Sequence, residues 1–174
     1  MSGSDILRAQ WAAACATLER RLVGLTDEEF FWQPCAGCWS VRPSPDPAAP
    51  GGWIMDYPDE VPDPPPVTTI AWRLLHIAHG NWIYWEHAFG PARRTYIDLE
   101  THHSAGVAVA DLVASQRPVT DVLDAMTDDA LAAPVGTPFG ATWPASRVLQ
   151  TLVNEQVHHG AEIGLLRDLH LRLG

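Results

Sequence analysis

Ten of the fifteen prolines in this 174-residue chain fall between Gln33 and Pro66, with Gly37, Gly51 and Gly52 among them. Proline lacks the amide hydrogen that helices and inner strands need, and its ring fixes φ. No helix and no central strand runs through such a stretch. Regular structure must lie on either side, and there the apolar residues recur at helical spacing. The segment itself predicts an ordered-to-mobile loop lying over the body of the domain. Loops this long in compact domains are usually functional or disordered, and Trp39, Trp53 and Tyr57 give this one groups with which to dock. It reads equally as a lid over a site and as a packing loop.

Four long helical segments flank the proline-rich run. The first spans about Asp5 to Leu25 with Ser4 as its N-cap, and Leu7, Trp11, Ala14, Leu18, Leu22 and Leu25 form its apolar stripe. Thr26-Asp27-Glu28-Glu29 resembles a cap leading into a short turn of helix, Glu28 to Trp32. The second long helix begins near Thr68 and continues to about Phe89, where Gly90-Pro91 stops it. It is apolar nearly all round, which marks a buried helix. The third spans about Ala105 to Met126, with Pro118 expected to kink or interrupt it. Pro134 to Pro144 reads as a Gly/Pro-rich connector, and the fourth helix runs from Pro144 or Ala145 to about Arg172. These elements predict an all-α protein: a four-helix bundle with a long Pro-rich loop between helices 1 and 2, forming one domain over residues 1–174.

The net charge of −10 argues against nucleic acid, whose binding rests on basic patches that neutralise phosphates. Every lysine-or-arginine position is arginine, which with the Ala, Pro and Gly richness suggests a high-GC genome. No apolar run approaches the ~20 residues of a membrane span, and the N-terminus lacks the shape of a signal peptide. A cytoplasmic protein without membrane partner is expected. Of the three cysteines, Cys35 and Cys38 form a CxxC, with no second CxxC for a zinc ribbon and no βαβ pattern for a thioredoxin-like site. Its setting reads as a turn with a structural or incidental role.

Chemistry concentrates in the last helix. At roughly 100° per residue, Glu155 and His159 sit one turn apart on the face shared by Val148, Leu152, Ile163 and Leu166. A carboxylate and an imidazole on a buried stripe are costly if unpaired. A divalent metal held by both offsets that cost; the alternative is a hydrogen-bonded interior pair. His76, midway along the second helix, supplies a third candidate ligand, and Gly80 one turn on leaves room beside it. Sites in helix bundles are built this way, from side chains on facing helices. Two histidines and one glutamate leave an open position, as in catalytic zinc sites. The HExxH pattern of zincin proteases is absent. His79 and His158 each lie about 60° off the ligand direction and are reserve ligands or cleft groups, candidates for catalytic proton relay.

His76-Ile77-Ala78 combined with Glu155-x-x-x-His159 resembles the DinB/YfiT-like metalloprotein superfamily. In ligand type the chain is most similar to its mycothiol-dependent maleylpyruvate isomerase branch. Gly37-Cys38-Trp39-Ser40-Val41-Arg42 and the run from His158 to Leu169 also look like DinB-type actinobacterial proteins. The resemblance implies a four-helix bundle, often homodimeric, with a divalent metal, commonly zinc or nickel, on His76, Glu155 and His159. It further implies a low-molecular-weight thiol such as mycothiol as cofactor. The expected function is thiol transfer to, or isomerisation of, a small electrophilic molecule between aromatic walls from Trp39, Trp72 and Trp82. The alternatives are a metal-dependent hydrolase of a small substrate and a non-enzymatic metal-binding stress protein.

Overall fold

A computed structural model describes residues 1–57, 60 and 62–174; Pro58, Asp59 and Val61 of the proline-rich segment lie outside the described residues. The chain is mostly helical, with five helices and two short hairpins among those residues. The helices are α1 (Gly3–Leu22), α2 (Asp27–Phe31), α3 (Ile70–Ala88), α4 (Ala105–Ala125) and α5 (Ala145–Leu173). The four long ones close on one another. α1 packs on α5 and α4, and α3 packs on the same two from the other side, while α2 wedges against α3 and α4.

The apolar stripes meet in two adjoining clusters. One gathers Leu18, Phe30, Leu74, Ile77, Leu112 and Ile163; the other gathers Trp11, Val119, Leu123, Val148, Leu149 and Leu152. α3 supplies buried residues on most of its circumference, as its all-round apolar sequence requires. Between α3, α4 and α5 runs a fully buried polar chain. Asn81 Nδ2 donates to Ser115 Oγ at 3.0 Å, Gln156 Nε2 to Asn81 Oδ1 at 3.2 Å, and Gln116 Nε2 to Gln156 Oε1 at 3.2 Å. Each amide is satisfied by a neighbour on another helix, which fixes how the three helices slide and rotate against one another.

Several local expectations need correction. The N-cap of α1 is Ser2, not Ser4. Its Oγ accepts the Asp5 amide at 3.1 Å while the Asp5 carboxylate accepts the Ser2 amide at 3.2 Å, a reciprocal capping box. Ser4, one residue into the helix, donates its own amide to Asp128 instead. α4 runs through Pro118 without a break. The carbonyl that Pro118 leaves unpaired belongs to Ala114, which is exposed, so water can satisfy it. Two stretches expected to be irregular each contain a hairpin. β1 (Val41–Pro43) pairs antiparallel with β2 (Trp53–Met55), and β3 (Pro134–Gly136) with β4 (Thr142–Pro144). Prolines survive there because each sheet has only two strands and Pro43, Pro134 and Pro144 sit at strand ends.

The proline-rich segment is anchored to the start of α3. Trp39 donates its amide to Val67 O at 3.0 Å and accepts from the Thr69 amide at 2.9 Å. Trp72 Nε1 donates to Asp56 O at 2.7 Å, and Asp56 also holds Arg42 and the Ser40 amide. These bonds set the β1–β2 hairpin beside the first turns of α3.

Candidate metal centre

α3 and α5 lie side by side, and their contact brings His76 level with Glu155 and His159. Glu155 Oε2 lies 3.2 Å from His76 Nε2 and 3.2 Å from His159 Nε2. One donor atom from each residue falls within 4.8 Å of the others. The trio is half-buried: side-chain exposures of 31% for His76, 25% for Glu155 and 14% for His159 make it reachable from solvent. One turn on from His76, an added Cβ at Gly80 would meet nothing within 4 Å, so there is open space there.

The hydrogen bonds around His159 fix which of its nitrogens faces the trio. Nδ1 lies 2.6 Å from Glu162 Oε2, a carboxylate that can only accept, and 3.3 Å from Arg73 NH1, which can only donate; the nearer, charged acceptor favours the proton on Nδ1. In the neutral ring Nε2 then presents a lone pair to Glu155 Oε2, itself an acceptor. An acceptor facing an acceptor at 3.2 Å needs a cation or a second ring proton between them. The donor set fits a divalent ion: bonds of about 2.1 Å at tetrahedral angles place neighbouring donors roughly 3.4 Å apart. With a ring proton on the edges that face it, hydrogen bonds from His159 and then His76 hold the Glu155 carboxyl far below the usual carboxylate range. Burial pushes the His159 imidazole down, against the upward pull of Glu155. Both directions favour the species a metal requires, an ionised carboxylate and a neutral imidazole.

Glu162 is held in turn by Arg73, whose NH1 pairs with its Oε2. Arg73 precedes His76 by one turn of α3, and its side chain is only 12% exposed. Burial pulls the guanidinium down to about 10, which leaves it charged at neutral pH. Arg73, Glu162 and His159 thus form a chain from cation to carboxylate to imidazole, the outer support that orients metal-binding histidines. Neither Arg73 nor Glu162 is among the ligands expected from the sequence. The signal was there in spacing, since Glu162 follows His159 by three and His158 by four.

Aromatic rings wall one side. Trp72 stacks on His76 with centroids 4.8 Å apart and planes 9° from parallel. Tyr57 stacks on Trp72 at 6.0 Å, and Trp39 lies 6.0 Å from Trp72. Of the three expected wall residues, Trp72 is the one in contact with His76, and Trp39 and Tyr57 reach it through Trp72. Trp82 points elsewhere: its Nε1 donates to Asp111 on α4 at 3.0 Å, under the Arg94 guanidinium. His79 is likewise turned toward α4, buried, with Nε2 3.1 Å from Glu100 O, and burial pushes it down. His158 is exposed, stacks on His159 at 4.6 Å and sets Nε2 3.3 Å from Glu162 Oε1. Of the two proposed relay histidines, only His158 touches the machinery of the trio.

No helix among the described residues is long and apolar enough to cross a membrane. No curated protein matches the chain. The sequence profile of the DinB superfamily matches residues 10–163, a span that holds all three candidate ligands, Arg73, Glu162 and the aromatic wall. The chain belongs to the DinB superfamily.

Proposed function

We propose that this protein is a zinc- or nickel-dependent enzyme that transfers a low-molecular-weight thiol, such as mycothiol, to a small electrophile, or isomerises that electrophile by addition and elimination. One observation carries the reading: a single carboxylate oxygen, Glu155 Oε2, is shared at 3.2 Å by the Nε2 atoms of two histidines on different helices. When bound, the metal supplies an open coordination position, Lewis acidity and a strong preference for the deprotonated form of a thiol. The chain's own residues do the rest. His76, Glu155 and His159 hold the ion, and Glu162 keeps the His159 proton on Nδ1. Trp72, Tyr57 and Trp39 offer flat apolar surface to an unsaturated substrate. The four long helices serve as a four-helix bundle, with the proline-rich segment as its crossover beside the cleft. The same reading takes the protein as a cytoplasmic homodimer.

A hydrolytic reading of the same site draws on His158, the exposed histidine that shares Glu162 with His159 and is placed to pass protons to solvent. Cobalt substitution separates the two. In Cys35→Ser/Cys38→Ser protein, adding mycothiol or another small thiol is expected to produce a sulfur-to-metal charge-transfer band in the near ultraviolet. A spectrum that no thiol perturbs, together with metal-dependent hydrolysis of an ester or amide, replaces thiol transfer with hydrolysis. Metal-dependent melting with no turnover of any kind supports the stress-protein reading.

A further inference from the structure

The turn between α2 and β1 carries the CxxC, and the structure makes it more than a turn. Cys35 Sγ and Cys38 Sγ lie 3.6 Å apart, both as free thiols. Cys35 is exposed, whereas Cys38 is 1% exposed and donates its thiol hydrogen to Cys35 O at 3.1 Å. Gly37, between them, takes a left-handed φ of 78°, which tightens the turn and sets the two side chains on the same side. The next residue, Trp39, is tied through its backbone to Val67 and Thr69, so Cys38 is held beside an anchored neighbour while Cys35 faces solvent. Neither sulfur belongs to a metal-ligand group among the described residues.

We infer that Cys35 and Cys38 form a thiol–disulfide exchange site that takes low-molecular-weight disulfides, with Cys35 as the attacking thiol and Cys38 as the resolving one. Accessibility decides the order, because only Cys35 can reach a disulfide in solution. The Cys35 thiolate attacks one sulfur of RS–SR, forming a Cys35 Sγ–SR bond and releasing RS⁻, which takes up a proton. Cys38 then attacks Cys35 Sγ, and its proton passes to the departing thiolate. The Sγ–SR bond breaks, the Cys35–Cys38 disulfide forms, and a second RS⁻ leaves. Two protein thiols are oxidised and one disulfide is reduced to two thiols. Burial pushes the Cys38 thiol up while the nearby Arg73 charge draws it down. The site does not depend on the metal, so it stands or falls apart from the proposed enzyme activity.

The test uses the full-length protein, reduced and then exposed to oxidised glutathione, with intact mass and peptide mapping as readouts. Wild type is expected to lose two hydrogens, carry no lasting adduct and release two equivalents of glutathione. Cys38→Ser should stop with one glutathione on Cys35, and Cys35→Ser should stay unmodified. Cys15 is the internal control: it is buried with its thiol pushed up to about 12, and it should not react in folded protein. Circular dichroism checks that both serine variants fold, and the wild-type result needs neither of them. A lasting Cys35 adduct in wild type overturns the inference, as does an adduct on Cys38 in folded Cys35→Ser protein. So does a wild type that oxidised glutathione leaves unchanged.

Discussion

Replacing Glu162 by glutamine tests whether the Arg73–Glu162–His159 chain supports the metal. Glu162 is not one of the three proposed ligands; its Oε2 lies 2.6 Å from His159 Nδ1 and pairs with the half-buried Arg73. Glutamine keeps the shape and an acceptor oxygen but removes the charge, so His159 becomes a weaker donor to the ion and its ring is less firmly held. Loss of such an outer partner typically weakens metal binding by about 10–100-fold. Glu162→Gln should fall near the lower end, since one acceptor remains, and Glu162→Ala near the upper end. The corresponding losses are about 1.4 and 2.7 kcal/mol. Both variants leave Arg73 without its partner carboxylate, so melting of the metal-free proteins must be measured alongside. The assay is competition for zinc against a chromophoric chelator at fixed pH, with wild type and His159→Ala as bounds. Wild-type affinity in Glu162→Ala, with metal lost in His159→Ala, would refute the supporting role.

His76→Ala, Glu155→Ala and His159→Ala should each lose most bound metal by elemental analysis, whereas His102→Ala and His170→Ala should not. Full stoichiometry in Glu155→Ala would remove that residue from the ligand set. Glu29 accepts two bonds from Arg167, at 2.9 and 3.0 Å, and these hold its carboxyl below the ordinary 4.5. A depressed carboxyl stabilises the fold above its ordinary value and loses that contribution as pH falls through the lower folded value. Glu29→Gln should therefore cost about 1.5–3 kcal/mol at pH 7, with the gap to wild type closing below pH 4.5; a gap independent of pH contradicts the assignment. Leu112→Ala, in the core on α4 and away from the trio, should cost about 2–5 kcal/mol in urea unfolding while metal stoichiometry stays intact.

The sequence announces the helices because their stripes repeat over five or more turns, and each observed end lies within a few residues of its expected place. The hairpins have no such announcement. Strands of three residues carry no readable period, and prolines at their ends mimic irregular chain. Glu155 and His159 could be paired from spacing alone, since one helix fixes their geometry. That His76 stands level with them depends on the axial offset between α3 and α5, which no periodicity encodes; its mid-helix position and the family resemblance pointed to it. The wheel angle of His79 placed it near the same cleft. In the folded chain that offset is enough to hand it to the Glu100 carbonyl on the α4 side. Trp82, a further turn along, is taken by Asp111 in the same way. No spacing along the chain links Arg73 to Glu162; their partnership exists only once α3 and α5 have met.

The buried amide chain of Asn81, Ser115, Gln116 and Gln156 bears on how a site like this can diversify. Gln156 directly follows Glu155, and Asn81 lies five residues beyond His76, so the groups that lock α3 against α5 adjoin the candidate ligands without belonging to them. The spacing of the donors is therefore inherited from the scaffold and not from the ion. A single exchange at one ligand position alters hardness, charge and cation preference while the helices stay where the amides hold them. Metal selectivity in such a chain can drift by point substitution, each intermediate remaining a folded protein on which selection can act.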